Sequence, residues 1–232
     1  MRSKNQSRTA GRPHYDPSRN TRVQLLNAAS QLFAEQGVAA TTFAVIASRA
    51  GVTPAMVHYH FRDRDELIDA VVEERLVPFI KSVWGPVQPE QTPAELVHGL
   101  VRRLLTQIEQ EPWVPSTWMR EILNEGGLLR ERLLRHLPFD KVRMLGHSVG
   151  LAQQLGRANL DVDPLLFVFS ALGLVMLHMA TLRVWSEIFH REPSGTLDLE
   201  RHIVAILLHG LEPNREPSSF RLRPKRTQRR NA

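Results

Sequence analysis

The segment Thr53-Pro54-Ala55-Met56-Val57-His58-Tyr59-His60 carries side chains suited to meeting a nucleic acid, but not in the usual way. It has no Arg, Lys, Asn or Gln, the residues that make bidentate contacts to guanine and adenine. Thr53, Ala55 and Met56 offer weak polar contacts and apolar contacts to thymine methyls. His58, Tyr59 and His60 offer hydrogen bonds to phosphate or an occasional base, and one of the two histidines is expected to pack under the turn instead. Arg64 can hold a phosphate with two parallel hydrogen bonds. Thr42 can cap a helix, meet a phosphate at that helix N-terminus, or do both. Arg12, in Gly11-Arg12-Pro13, either lies in a narrow minor groove or stays a solvated arm. Specificity is then expected from thymine methyls, groove shape and the arm.

These residues need two short helices at a sharp angle. Between Thr41 and Leu67 the pair Ile46-Ala47 is followed by Ala50-Gly51-Val52 and then by the Thr/His/Tyr segment, the order of a helix-turn-helix. A supporting helix is expected from about Ser18 to Gln36, with Leu25, Ala28, Ala29, Leu32 and Phe33 on one face and Gly37 closing it. The next starts near Thr41 or Thr42 and stops at Gly51. The third starts at Thr53 with Pro54 in its first turn and ends near Phe61. The fourth starts at Asp63, with Glu66 completing a capping box, and runs to about Pro78.

Beyond Pro78 the pattern stays helical between proline clusters. Thr92 and Glu95 form a second capping box, and Leu96, Leu100, Leu104 and Ile108 mark one face. Helical segments are expected at about 116–124, 127–136 and 138–157. Asp161 or Asp163 caps a long apolar helix to about His190, and a last helix runs from Leu197 to His209, closed by Gly210. No strand run is evident, so the fold class is all-α. The expected division is an arm over 1–17, a DNA-binding domain over 18–67, a helical effector and dimerisation domain over 68–212, and a basic tail over 213–232.

Charge follows the same division. Residues 1–64 carry nine Lys/Arg against three Asp/Glu, residues 65–214 fourteen against twenty, and residues 215–232 seven against one. Basic ends around an acidic middle are the electrostatic footprint of a phosphate-backbone partner. The tail either adds non-specific phosphate contacts or only aids solubility. With no cysteine there is neither a disulfide framework nor a thiolate metal site. The basic opening is followed by no apolar run, so no secretory signal is expected.

Three other patterns offer different chemistry. Gly146-His147-Ser148-Val149-Gly150 fits the nucleophile elbow of a serine hydrolase, which requires a strand before it, a helix after it and a parallel sheet. The sheet is missing from the pattern, so a helix with two close-packing glycines is preferred. Leu165–Leu182 has no formal charge and approaches the length of a membrane span. Ser170, Gly173, His178 and Thr181 interrupt it, and a helix facing both a core and a subunit interface is preferred. The histidines show no ligand constellation, since His58-x-His60 does not share one helix face. No metal or cofactor is expected. Trp113, Trp118, Met119, Arg120, Met144, Phe167 and His178 are candidates for a largely apolar effector pocket, and equally for ordinary core. Arg120 and Glu121 can orient a ligand or pair with each other.

The spacing Leu25-Leu26-Asn27-Ala28-Ala29, Leu32-Phe33, Gly37, Thr41-Thr42, Ile46-Ala47, Ala50-Gly51-Val52, Phe61 and Arg64-Asp65-Glu66-Leu67 resembles the N-terminal pattern of TetR-type transcriptional regulators. The match covers residues 19–72. His58 stands where the family usually has Tyr, and Arg64 where it usually has Lys. The resemblance implies a cytoplasmic, non-enzymatic homodimer on double-stranded DNA. Each subunit would put its third helix in a major groove. It further implies a C-terminal domain that binds a small molecule and releases a palindromic operator, with the last two long helices forming a four-helix dimer interface.

Overall fold

The computed structural model describes residues 17–88, 91–190 and 195–213, and all the regular structure among them is helical. Arg12, expected at a minor groove or in a solvated arm, and the basic tail, expected to contact phosphate or aid solubility, lie outside these residues. The first helix, α1 (Pro17–Gln36), buries Leu25, Leu26, Ala29, Leu32 and Phe33. Gly37 ends it at φ +84, a left-handed conformation that costs glycine no steric clash.

Helix α2 (Phe43–Ala50) starts at Thr42, whose hydroxyl accepts the Val45 N–H at 3.3 Å. It ends in a Schellman turn: Gly51, at φ +68, donates to the Ser48 carbonyl and Val52 donates to that of Ala47. Helix α3 (Pro54–His60) follows with Thr53 at its N-cap, although the Thr53 side chain makes no capping bond. Ile46 and Ala47 of α2 and Val57 of α3 meet the α1 face, so the three helices share one apolar centre.

The fourth helix departs from its expected end. Helix α4 (Arg64–Val71) starts at Asp63, which accepts the Glu66 N–H at 2.9 Å. The Glu66 carboxylate reaches back to the Arg62 N–H rather than to that of Asp63, so the expected capping box is offset by one residue. The chain does not stop at Pro78. It passes through a π-helical turn, Val72–Leu76, into α5 (Val77–Trp84). Proline lacks an N–H and its ring would strike the carbonyl four residues back. The wider π turn precedes that position, and the orphaned Glu74 carbonyl accepts Arg75 Nη1 at 2.9 Å. Val77, Phe79, Ile80, Val83 and Trp84 remain buried, which sustains the helix past the proline.

The rest is a helical body. Helix α6 (Pro93–Gln110) opens with the Thr92/Glu95 capping box and buries Leu96, Leu100, Leu104 and Ile108. Helix α7 (Val114–Thr117) runs into a second π turn, Trp118–Ile122. Helices α8 (Arg130–Leu134) and α9 (Phe139–Gln154) are shorter than the spans expected around them. Helix α10 (Pro164–Phe189) is capped by Asp163, not Asp161, and α11 (Thr196–Leu211) runs through Gly210 instead of stopping there. Helix α10 packs on α9, α6 and α7, while α11 packs on α6 and α10.

Phe61 joins the helix-turn-helix to the continuous rod formed by α4, the first π turn and α5, Arg64 to Trp84. It is fully buried, and the Arg22 guanidinium sits 4.6 Å from its ring centroid. Arg22 also donates to the His60 carbonyl at 3.2 Å and pairs with Glu74 at 2.6 Å, tying α1 to the end of α3 and to the first π turn. Replacing Phe61 by Ala removes a filled ring and a cation–π contact. It is expected to lower unfolding free energy by about 3–5 kcal/mol in urea titration.

Candidate nucleic-acid interface

The outward surface of α2 and α3 holds most of the expected contact residues on one side. Thr42, Thr53, Ala55, His58 and Tyr59 are exposed, and Met56 is half-buried beside the fully buried Val57. Tyr59 is 74% exposed, which leaves its ring and hydroxyl open to a partner. His58 keeps its ring edge-on to Phe43 of α2, 4.9 Å between centroids, which orients it at the α2–α3 junction.

His60 behaves differently. It is half-buried, its Nε2 is shielded from solvent without a hydrogen-bond partner among the described residues, and it lies edge-on to Tyr59. Burial pushes its imidazole below the ordinary histidine range, and the nearby Arg22 charge pushes the same way. Of the two histidines, His60 is therefore the one that packs inward.

Arg64 is engaged within the protein: its Nη2 donates to the Val38 carbonyl. The cation that stands clear is Arg62, with its side chain 84% exposed and a 3.0 Å ion pair to Asp63. Arg49, at the end of α2, makes a bidentate pair with Glu35 of α1, at 3.0 and 2.7 Å. Sequence spacing offered no signal to separate Arg62 from Arg64. Only the course of the chain after Phe61 turns one outward and the other back.

A second feature escaped the sequence. Glu121, in the second π turn, is buried and accepts the Val38 N–H at 2.8 Å and the Leu128 N–H at 3.0 Å. It pairs with backbone, not with Arg120, which points to the Glu35 carbonyl at 3.4 Å. A Cβ at Gly37 would come within 3.2 Å of both Arg120 Cδ and Glu121 Oε1, so this loop sits tightly against the body. Arg132 of α8 adds contacts to Asp65 at 2.7 Å and Asp69 at 2.5 Å on α4.

The expected effector residues do not converge. Trp113 borders a cleft between α1, α7 and α10, whereas Met144 borders a separate cavity between α6, α9 and α11. Phe167 is buried in the α10 core, Trp118 and Met119 pack against the core from its edge, and His178 lies 6.1 Å from His202. Helical periodicity marked them as inward-facing without saying which helix each would face. The Gly146–Gly150 motif lies within α9, not at a strand-to-helix elbow, and Ser148 Oγ donates to the Gln91 carbonyl at 3.5 Å. A serine nucleophile has no supporting geometry there.

A short helix-turn-helix mounted on a helical body is the architecture of a DNA-binding regulator. The family model for bacterial regulatory proteins of the tetR family matches residues 25–71. The TtgW regulator of Pseudomonas putida is 38% identical over 118 residues, which cover 51% of this chain and 87% of that protein. The BetI regulator of Rhizobium meliloti is 29% identical over 98 residues, 42% of this chain. The chain spans only 48% of BetI's length. The solved structure of the ketosteroid transcriptional regulator KstR2 of Mycobacterium tuberculosis shares the fold, with TM-score 0.66 at 20% identity, covering 89% of this chain and 100% of that one. This chain belongs to the tetR family.

Two outcomes follow. Glu121→Ala strands the buried Val38 N–H and releases the half-buried Leu128 N–H, and is expected to cost about 1–3 kcal/mol of stability. Glu121→Gln turns an amide donor towards one of those donors and should also destabilise, with faster amide exchange at Val38 and Leu128. For His60 the folded imidazole binds its proton less readily than the unfolded one, whose ordinary value is 6.5. Stability is therefore complete above that value and falls as pH drops below it towards the folded value. His60→Gln should flatten this part of the pH–stability profile.

Proposed function

We propose that the chain is a transcriptional repressor that binds a palindromic operator as a homodimer and leaves it when a small molecule binds. Its reading head is residues 18–67 and its effector and dimerisation body is 68–212. It works in the cytoplasm, without catalysis. The observation that carries this reading is the surface of α2 and α3, where Thr42, Thr53, Ala55, His58 and Tyr59 face outward over one shared core.

On DNA, Thr53, Ala55 and Met56 meet thymine methyls, His58 and Tyr59 meet phosphate or base edges, and Thr42 brings the α2 N-terminus to a phosphate. Arg62 takes the phosphate role expected of Arg64, which instead braces the loop at Val38. Arg12 would reach the minor groove from the arm.

The dimer reading rests on α10. It is long and apolar enough to cross a membrane by length and composition, and only 28% of its most apolar window is buried within the chain. Leu166, Phe169, Leu177, Val184 and Ile188 fall at helical spacing on its uncovered side, with Ile206 exposed on neighbouring α11. A contiguous apolar surface of this kind marks an association site. A second copy would satisfy it through a self-complementary two-fold contact. Membership of the tetR family supports the small-molecule effector.

Selection of bound sites from random DNA, followed by gel shift, tests the reading: recovery of no common sequence overturns it. Arg62→Ala should weaken binding to all sequences alike and reduce the slope of log K against log salt by about 1. Leu177→Glu should convert the dimer to monomer in analytical ultracentrifugation. A protein that sediments as a monomer before substitution, or pellets with membranes, would contradict the interface assignment.

A further inference from the structure

The end of the body farthest from the reading head carries an open groove. Helix α6 sets the separation: Gln110 at its C-terminus borders the cleft against α1, while Thr92 and Pro93 at its start border this groove. Its 18 residues, at a rise of about 1.5 Å each, put the two about 27 Å apart. The groove holds about 590 Å³ between α9, α11 and the start of α6. Met144, Ser148, Leu151 and Leu155 recur at intervals of four, three and four along α9 and its C-cap, which puts them on one stripe. Leu151 is 49% exposed and Leu155 59%, so much of this stripe meets water. Leu208 and Leu211 of α11 add the facing wall. The lining has one carboxylate, Glu212, and one guanidinium, Arg157, so what it offers a partner is apolar contact.

The chain itself leaves the body through this groove. Leu211, Glu212 and Pro213 line it and are where α11 gives way to the basic tail. That exit is pinned: the Asn159 N–H donates to the Leu211 carbonyl at 3.0 Å, and Asn159 Nδ2 donates to that of Gly210 at 3.1 Å. Beyond it, apart from prolines and Ala232, the apolar side chains are Phe220 and Leu222. Phe220 lies seven residues past Pro213, a reach of up to about 25 Å. In extended backbone Phe220 and Leu222 share one side and Arg221 takes the other.

We propose that the groove is the docking site of the chain's own tail, with Phe220 and Leu222 seated against Leu151, Leu155 and Leu208 and with Arg221 turned to solvent. A short tether keeps the segment at a high effective concentration beside its site, so two apolar anchors are enough where a free peptide would bind weakly. Glu216-Pro217-Ser218-Ser219 supplies turn residues between exit and anchor. The acidic body, fourteen Lys/Arg against twenty Asp/Glu over 65–214, adds long-range attraction for a segment with seven against one. A seated anchor starts the tail's basic run at the opposite end of the body from α1. The proposal does not depend on the repressor reading.

The test places a photo-crosslinker in the full chain, Phe220→p-benzoylphenylalanine, with Leu222 and Arg221 replaced likewise in separate samples. Irradiation, digestion and peptide mapping by mass should join positions 220 and 222 to residues 144–155 or 208–213 of the same chain. The probe at position 221 should give at least fivefold less of that product. Leu151→Asp and Leu155→Asp, both at exposed positions, should each cut the yield from position 220 at least fivefold and leave the circular dichroism unchanged. An equal amount of isotope-labelled chain without the probe is present throughout. Adducts on the labelled chain would mean that a second copy fills the groove, which overturns the proposal. Equal yields from all three probes, indifference to both aspartates, adducts outside the groove, or no adduct at all would overturn it as well.

Discussion

The peptide unit of Val38 is where the small domain and the body are held to one another. Its N–H is taken by the buried Glu121 carboxylate and its carbonyl by Arg64 at the start of α4. A buried peptide N–H left unpaired costs free energy comparable to a lost hydrogen bond, so Glu121 matters most, while the carbonyl also accepts the Thr41 N–H at 3.0 Å. Gly37 makes the contact possible by taking a left-handed turn and leaving no Cβ between the loop and the Arg120–Glu121 pair. Any displacement of the second π turn or of α4 is therefore felt at the loop that joins α1 to the helix-turn-helix.

Rigidity on either side of that junction gives it consequence. The reading head has one apolar centre, and Arg22 staples α1 to the last turn of α3 and to Glu74 in the rod. On the other side, Arg132 grips Asp65 and Asp69 from α8. The rod from Arg64 to Trp84 carries its π turn just before Pro78, and the second π turn holds Glu121. π turns inside helices recur at functional sites. Here one accommodates a proline and the other presents a buried acid.

The N-terminal helices were legible because their signals are local. Thr42 as a cap, Gly51 as a left-handed stop and the apolar spacing along α1 depend on residues within a turn or two of each other. Capping by Thr92 and by Asp163 is of the same kind. The stop expected at Pro78 failed because a non-local term, the burial of Phe79, Ile80 and Val83, outweighs the local cost of proline. The expected effector residues scatter for a related reason: periodicity identifies an inward side chain but not the helix it will face, so Trp113 and Met144 border different cavities.

The sequence by itself determined the helix-turn-helix, its family and the poverty of its base-reading alphabet between Thr53 and His60. These follow from residue type and spacing along one short segment. Tertiary structure decided that Arg64, and not Arg62, is tied back to the Val38 carbonyl, which of two histidines is packed, and that Glu121 holds Val38 from 83 residues away. Those outcomes depend on which groups are shut off from water when distant helices meet. Desolvation is a property of the assembled surfaces and has no pattern along the chain.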